Sequence, residues 1–156
     1  MIVTPAFLKA FCLALALTEG HGRISFETNH REQAIGPHQI RPVLIREMHR
    51  LSPGYNWKHN DASTYHGSCA IVSEWVVQMN LRHPELTPED LAHAWNAGPD
   101  LYPPCPGYRK RFTNHFTSAL KENQTQTHDH NQTSQVNRCV RRWYHILQGS
   151  IPFWKG

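Results

Sequence analysis

One carboxylate in this sequence stands where a carboxylate is unusual. The stretch FCLALALTEGHG, residues 11–22, runs from an apolar segment into Glu19 and a glycine-rich exit. Steps of four and three residues back from Glu19 reach Leu15, Cys12, Phe11 and Leu8, so the spacing predicts an acid on the buried stripe of a helix. Burial and the negative end of the helix dipole would both raise its pKa, as general acid catalysis requires. The alternative is a carboxylate that turns outward into solvent past Gly20.

Helical spacing elsewhere predicts a mainly α-helical chain around this acid. Five helices are expected, at about residues 5–19, 41–51, 68–83, 87–98 and 108–120. Thr87 and Asp90 have the spacing of a capping box at the start of the fourth helix. The third helix is expected to bury Cys69, Val72, Val76 and Met79, and the fifth to bury Tyr108, Phe112, Phe116 and Leu120. Between the first two helices lies a polar loop with at most a small β-hairpin.

The end of the chain differs in composition from the rest. Residues 121–137 contain one apolar residue in seventeen, which is typical of a linker. Residues 138–156 return to helical spacing through Val140, Trp143 and Leu147. We therefore predict one domain over residues 1–120, a polar linker over 121–137 and a C-terminal helical extension over 138–156 that is a candidate docking surface for a protein partner.

Composition and charge limit the class of protein. The chain has 156 residues, enough for one domain with a core, and a formal net charge of +4, which suits an anionic polymer. Its longest apolar run falls short of the ~18 residues of a membrane span and lacks the preceding basic segment of a secretion signal. Four cysteines without a CxxC pair predict no metal site, and disulfides and thiols both remain open. HDH, residues 128–130, is interpreted as a surface feature of the linker.

Three separated strings resemble, in order and spacing, the soluble lytic transglycosylase domain. They are ALTEG (16–20), AIGPHQI (34–40) and AWNAGP (94–99), and the last is followed by YRKRF from Tyr108. The resemblance covers about residues 4–117 and implies the lysozyme-like fold shared with goose-type lysozymes. It implies that Glu19 is the catalytic acid and that Tyr108 lies near it. It also implies a substrate-binding saccharide groove formed by Gly36, Gln39, Ile40, Trp95, Asn96, Ala97 and Tyr108. The chain departs from the family pattern at Gly20, where serine is usual, at Pro37 and His38, and at Trp95.

The activity implied by this resemblance is cleavage of the β-1,4 bond between MurNAc and GlcNAc in peptidoglycan, with formation of 1,6-anhydroMurNAc. The expected partner is a peptidoglycan glycan strand in the cell wall, in a periplasmic, extracellular or phage-associated setting. No cofactor, metal, nucleic acid or membrane span is expected.

Two alternatives remain open. A goose-type lysozyme-like hydrolase would use Glu27 or Glu32 to position water. A non-catalytic binding module would use the basic segments RKRF (109–112) and RCVRRW (138–143).

Overall fold

The chain folds as a set of α-helices, in agreement with the predicted helical class. A computed structural model describes residues 1–98 and 105–126. Its helices are α1 (Pro5–Glu19), α2 (Pro42–Leu51), α3 (Tyr65–Arg82), α4 (Pro88–Ala97) and α5 (Pro106–Gln126), and a short 3-10 helix (His59–Ser63) precedes α3. All five predicted helices are present, and their ends differ from the predicted ones by a few residues, apart from the longer C-terminal end of α5.

The helix starts follow from local chemistry. Four helices begin at a proline, whose fixed φ suits the first turn and whose missing N–H would have no partner there. At α1 the Thr4 hydroxyl accepts a hydrogen bond from the Phe7 amide at 3.1 Å. The predicted capping box at α4 is confirmed, because Thr87 and Asp90 exchange side-chain to backbone bonds of 3.1 and 3.2 Å.

The core is built mainly where α1 packs against α5. Phe11 contacts Phe112 with ring centroids 5.0 Å apart, and Phe7 meets the edge of Phe116 at 5.4 Å. Such aromatic pairs contribute roughly 0.5–1.5 kcal/mol each beyond the area that they bury. The predicted stripe on α5 is largely confirmed, since Tyr108, Phe112 and Phe116 are buried and Leu120 packs at the edge of the core. This packing brings the C-terminal end of α1 beside the first turn of α5.

Across the described residues there is no β-strand, and the loop after α1 forms only isolated bridges, Asn29 with Ala34 and Ile35 with Ile40, which is within the predicted limit of a small β-hairpin. The predicted buried face of α3 is corrected by the structure. On α3 the buried face carries Ile71, Val72, Trp75 and Val76, whereas Cys69 and Met79 are only partly buried. The reason is that α3 is apolar at most positions in its middle, so spacing alone does not select a unique face.

The fifth helix passes the predicted domain end at residue 120. It continues to Gln126, six residues into the expected linker, and Asn123 Nδ2 donates to the Ala6 carbonyl at 3.3 Å. The sequence KENQTQ is polar but contains no proline or glycine, so it can prolong a helix at small cost. Residues 127–137 of the predicted linker and the predicted extension over 138–156 lie outside the described residues. Within residues 1–98 and 105–126, no helix combines the length and apolar character of a bilayer crossing.

Candidate active site

A cleft of about 1000 Å³ opens beside the end of α1. It is lined by Glu19, by the loop between α1 and α2, and by parts of α2, α3 and the end of α4. The walls combine aromatic side chains, among them Trp75 and Trp95, with charged groups from the loop. A cleft of this size, with an acid in its wall, has the dimensions of a ligand site.

Glu19 is half-buried in this wall and is held by α5. The Tyr108 hydroxyl donates a hydrogen bond of 2.6 Å to Glu19 Oε1. Burial raises the pKa of Glu19 from 4.5 to about 7, against the opposing effects of the Tyr108 hydrogen bond and the charges of Arg41 and Arg111. Burial also holds the pKa of Tyr108 well above its ordinary value, so this tyrosine stays a donor. The acid therefore turns inward, and it can hold a proton near neutral pH.

Arg41 is a site residue that the sequence did not single out. Its guanidinium lies 3.5 Å from Glu32 Oε2 and donates to the Asn96 carbonyl at 3.5 Å. Its charge also lowers the pKa of Glu19, whereas the charge of Glu32 raises it. Arg41 directly follows the AIGPHQI string, but its partners lie 9 and 55 residues away, so only the fold brings them together.

Gln39 and Asn96 both line the cleft, in different ways. Gln39 adopts a positive φ of 49°, and its Nε2 donates to the carbonyls of Glu27 at 2.8 Å and Gly36 at 3.0 Å. The amide N–H groups of Gln39 thus hold the loop together, and its Oε1 is the part left for a ligand. The Asn96 side chain is exposed at the end of α4.

Four residues expected in the saccharide groove are not among the described residues that line the cleft, namely Gly36, Ile40, Ala97 and Tyr108. Tyr108 bonds to Glu19 instead. Gly36 has a φ of 71°, and a Cβ there would lie 1.8 Å from the Ala62 carbonyl oxygen. The absence of a side chain at Gly36 therefore allows the loop backbone to lie close to the backbone at Ala62, and it does not serve contact with a sugar. Ile40 is fully buried, and its carbonyl accepts from His59 Nε2 at 2.8 Å. Ala97 is the last residue of α4 and is partly buried.

The departures from the family pattern have local reasons. A Cβ at Gly20 would lie 1.9 Å from the Arg23 carbonyl oxygen, so this turn excludes serine. Trp95 lines the cleft but is mostly buried, with its ring edge-on to Trp75 and its Nε1 donating to the His38 carbonyl at 3.1 Å. His38 is fully buried, and burial lowers its pKa to about 4. Trp95 thus forms part of the cleft wall, and His38 supports it through its carbonyl.

The two candidate secondary carboxylates both line the cleft from the loop. Both are exposed, and each faces an arginine at 3.5 Å: Glu27 faces Arg23 and Glu32 faces Arg41. Exposed ion pairs of this kind contribute little to stability.

Scans against protein-family models, curated proteins and solved structures found no match to this chain. The resemblance to the transglycosylase domain consequently depends on the three strings and the site geometry alone.

Proposed function

We propose that this chain is a lytic transglycosylase that cleaves peptidoglycan glycan strands, with Glu19 as the only general acid and base. The observation that carries the proposal is the half-buried Glu19 carboxyl in the cleft wall, held by Tyr108 at 2.6 Å and titrating at about 7. A group with this pKa is part protonated and part ionised at neutral pH. It can therefore both donate and accept a proton within one catalytic cycle.

In the first step Glu19 acts as the acid. Because Oε1 accepts the Tyr108 hydrogen bond, the transferable proton is carried by Oε2. Transfer of this proton to the glycosidic oxygen breaks the bond to C1 of MurNAc and releases GlcNAc with a free hydroxyl. The Tyr108 bond then stabilises the glutamate that has become ionised.

In the second step the ionised Glu19 acts as the base. It accepts the proton of the MurNAc 6-hydroxyl as O6 bonds to C1, with assistance from the N-acetyl group, and the 1,6-anhydro ring closes. Glu19 is protonated again and the cycle is complete. This route needs no second carboxylate and no water, which agrees with a site in which Glu19 is the buried acid.

A hydrolase of the goose-type lysozyme class is the second candidate, because Glu27 and Glu32 line the same cleft. In that reaction one of them would position the attacking water. Their exposure and their pairing with arginines favour the first proposal. With both residues changed to glutamine, a transglycosylase should keep most of its rate and its anhydro products. A collapse of the rate, with reducing ends from the parent protein, would favour the hydrolase.

The binding-module alternative is less well supported. Arg109 forms an ion pair with Asp90 at 2.6 Å, and the Arg111 guanidinium lies over the Tyr108 ring at 5.9 Å. These cations of the RKRF segment are engaged with their own chain. The second basic segment, residues 138–143, lies outside the described residues. A binding module also gives no reason for a buried acid beside a cleft.

The deciding experiment is digestion of purified peptidoglycan followed by mass spectrometry of the product ends. We expect 1,6-anhydroMurNAc ends from the parent protein. Glu19→Gln should lower the rate by about a hundred- to ten-thousandfold, the range for loss of general acid catalysis. Glu85→Gln, an exposed acid outside the cleft, is the matched control and should retain the parent rate. Turnover of Glu19→Gln at the parent rate would exclude the assignment.

A further inference from the structure

A second group of reactive side chains lies outside the cleft. Cys12 on α1, His38 in the loop before α2, and Cys69 on α3 each present a ligand atom, and these three atoms lie within 4.8 Å of one another. None of the three residues lines the cleft that contains Glu19. This group is not evident from the sequence, because its members are separated by 26 and 31 positions and form no CxxC pair.

We propose that Cys12, His38 and Cys69 form a binding site for a thiophilic divalent cation of the zinc class. Two thiolate sulfurs and one imidazole nitrogen are the ligand types that zinc prefers. Zinc bonds to sulfur at about 2.3 Å and to nitrogen at about 2.0–2.1 Å, so ligands of one tetrahedral ion lie about 3.5 to 4 Å apart. The three ligand atoms lie within 4.8 Å of one another, which is close to this spacing.

The hydrogen bonds of His38 prepare it for this role. Its Nε2 lies 2.9 Å from the Cys12 carbonyl, an acceptor, so Nε2 carries the proton and Nδ1 keeps a lone pair. A ring N–H bonded to a backbone carbonyl is the arrangement that orients histidine ligands in metal sites. The Ser68 hydroxyl lies 2.8 Å from Nδ1, but it can donate to the Tyr65 carbonyl at 3.1 Å instead. Binding of an ion at Nδ1 therefore leaves no hydrogen-bond donor unsatisfied.

The site is partly buried, and one of its three residues is partly exposed to solvent. Cys12 and His38 are buried, whereas Cys69 and the neighbouring Tyr65 are partly exposed, so an ion reaches the site from the Cys69 side. Three protein ligands leave the fourth tetrahedral position for water. A disulfide would use the two sulfurs without His38. In the structure Cys12 Sγ instead contacts the Cys69 carbonyl at 3.7 Å and the Ser73 hydroxyl at 3.6 Å.

The test is titration of the full, reduced chain with Co²⁺, followed by displacement with Zn²⁺. The thiols are first reduced under anaerobic conditions with a reductant that does not bind metal. We expect one equivalent of Co²⁺ to produce thiolate-to-metal charge-transfer absorption, and Zn²⁺ to abolish it. Cys69→Ser should weaken Zn²⁺ binding by at least about tenfold, since loss even of a supporting residue costs that much in metal sites. Cys105→Ser is the matched control and should bind like the parent protein.

Thermal unfolding provides the second measurement. Zn²⁺ should raise the melting temperature of the parent and of Cys105→Ser, because a ligand of the folded state stabilises it, and should raise that of Cys69→Ser less, because this variant binds Zn²⁺ more weakly. Circular dichroism establishes that each variant is folded. If the reduced parent binds Co²⁺ no better than a Cys12→Ser, Cys69→Ser double variant, the proposal is wrong. This outcome is independent of peptidoglycan cleavage, which is measured on Glu19.

Discussion

Two residues determine the chemistry of the candidate site, Glu19 and Tyr108. Burial raises the pKa of the Glu19 carboxyl, and the hydrogen bond from the Tyr108 hydroxyl lowers it. The two effects oppose each other in the pKa of Glu19, and burial is the larger, which leaves the value at about 7. Charged neighbours adjust this value further, Arg41 and Arg111 downward and Glu32 upward. The pKa of Glu19 is therefore set by residues from two other parts of the chain, the loop between α1 and α2 and helix α5.

The free energy of unfolding should depend on pH because of the Glu19 carboxyl. The folded chain keeps the Glu19 proton up to about pH 7 and the unfolded chain only to about 4.5, so the free energy of unfolding falls as the pH rises through this window. Glu19→Gln removes this pH-dependent loss of stability, because glutamine does not ionise. At about pH 8 the variant should be more stable than the parent by about 1 to 2 kcal/mol, after allowance for solvent screening of a half-buried group. Near pH 4 the two should be equal.

Urea denaturation of both proteins at the two pH values measures this difference. A difference that does not change with pH would mean that the Glu19 pKa is ordinary in the folded protein.

Under the proposed function, Tyr108→Phe should alter the pH dependence of glycan cleavage. The hydroxyl stabilises the ionised carboxylate, so its loss should raise the pKa of Glu19 above about 7. The alkaline limb of the rate profile should then move to higher pH, and the rate should fall by about ten- to a hundredfold because Oε1 is no longer held in place. The measurement is the rate of anhydro-product formation against pH. The control is Tyr55→Phe, at a tyrosine whose ring stacks on Trp57. If Tyr108→Phe had the same pH profile as the parent, the role given to the Tyr108 hydroxyl would be contradicted.

At the scale of elements, the loop between α1 and α2 is as important as the helices. It supplies much of the cleft wall, yet it contains no β-strand and is held by side-chain and backbone contacts. Gln39 binds two carbonyls within the loop, and Gly36 fits closely against Ala62 in the 3-10 helix. The loop therefore keeps its shape through a few close contacts at particular residues.

Gly36→Ala should lower the free energy of unfolding more than Gly22→Ala does, although both glycines have a positive φ. Gly36 combines a φ of 71° with a Cβ position 1.8 Å from the Ala62 oxygen, whereas Gly22 has a φ of 92° and open space around its Cβ. Gly22→Ala should cost about 1 to 2 kcal/mol of stability from backbone strain alone. Gly36→Ala should cost clearly more, because the 3-10 helix must also shift. Denaturant unfolding of both variants checks this, and equal losses would mean that the close approach is unimportant.

At the scale of the whole molecule, α5, the last described part of the chain, packs against α1, the first helix. It buries an aromatic stripe against α1, brings Tyr108 to Glu19, and bonds to the start of α1 through Asn123 and Ala6. Stability and site geometry thus depend on the same pair of helices.

Truncation tests where the unit responsible for the proposed activity ends. A chain ending at Gln126 and one ending at Leu120 both retain every described residue that lines the cleft, so under the proposed function both should form anhydro products. The shorter chain loses the last turns of α5 and the bond from Asn123 to Ala6, worth about 0.5 to 1.5 kcal/mol. It should melt several degrees lower, and Asn123→Ala in the longer chain isolates the part due to that bond. A shorter chain that is well folded but forms no anhydro product would show that the residues after 120 contribute to the active site.

Local sequence signals determined the helices and the position of Glu19 along the apolar stripe of α1. Prolines, the capping box of Thr87 and Asp90, and recurrence every three or four residues act between near neighbours in the chain, so they can be read without the fold. The same reasoning placed Tyr108 on the buried stripe of α5.

Only the tertiary structure decided which distant residues meet. Arg41 reaches Asn96 across 55 positions, and Cys12 and Cys69 come together with His38. The contact of Tyr108 with Glu19 across 89 positions was implied by the family resemblance, not by any local pattern, and is present in the structure. The tertiary structure also moved Gly36 and Ile40 from the expected groove into close packing with the 3-10 helix and the core. The physical reason is that such contacts arise from the packing of whole helices and loops, which periodicity within one segment does not encode.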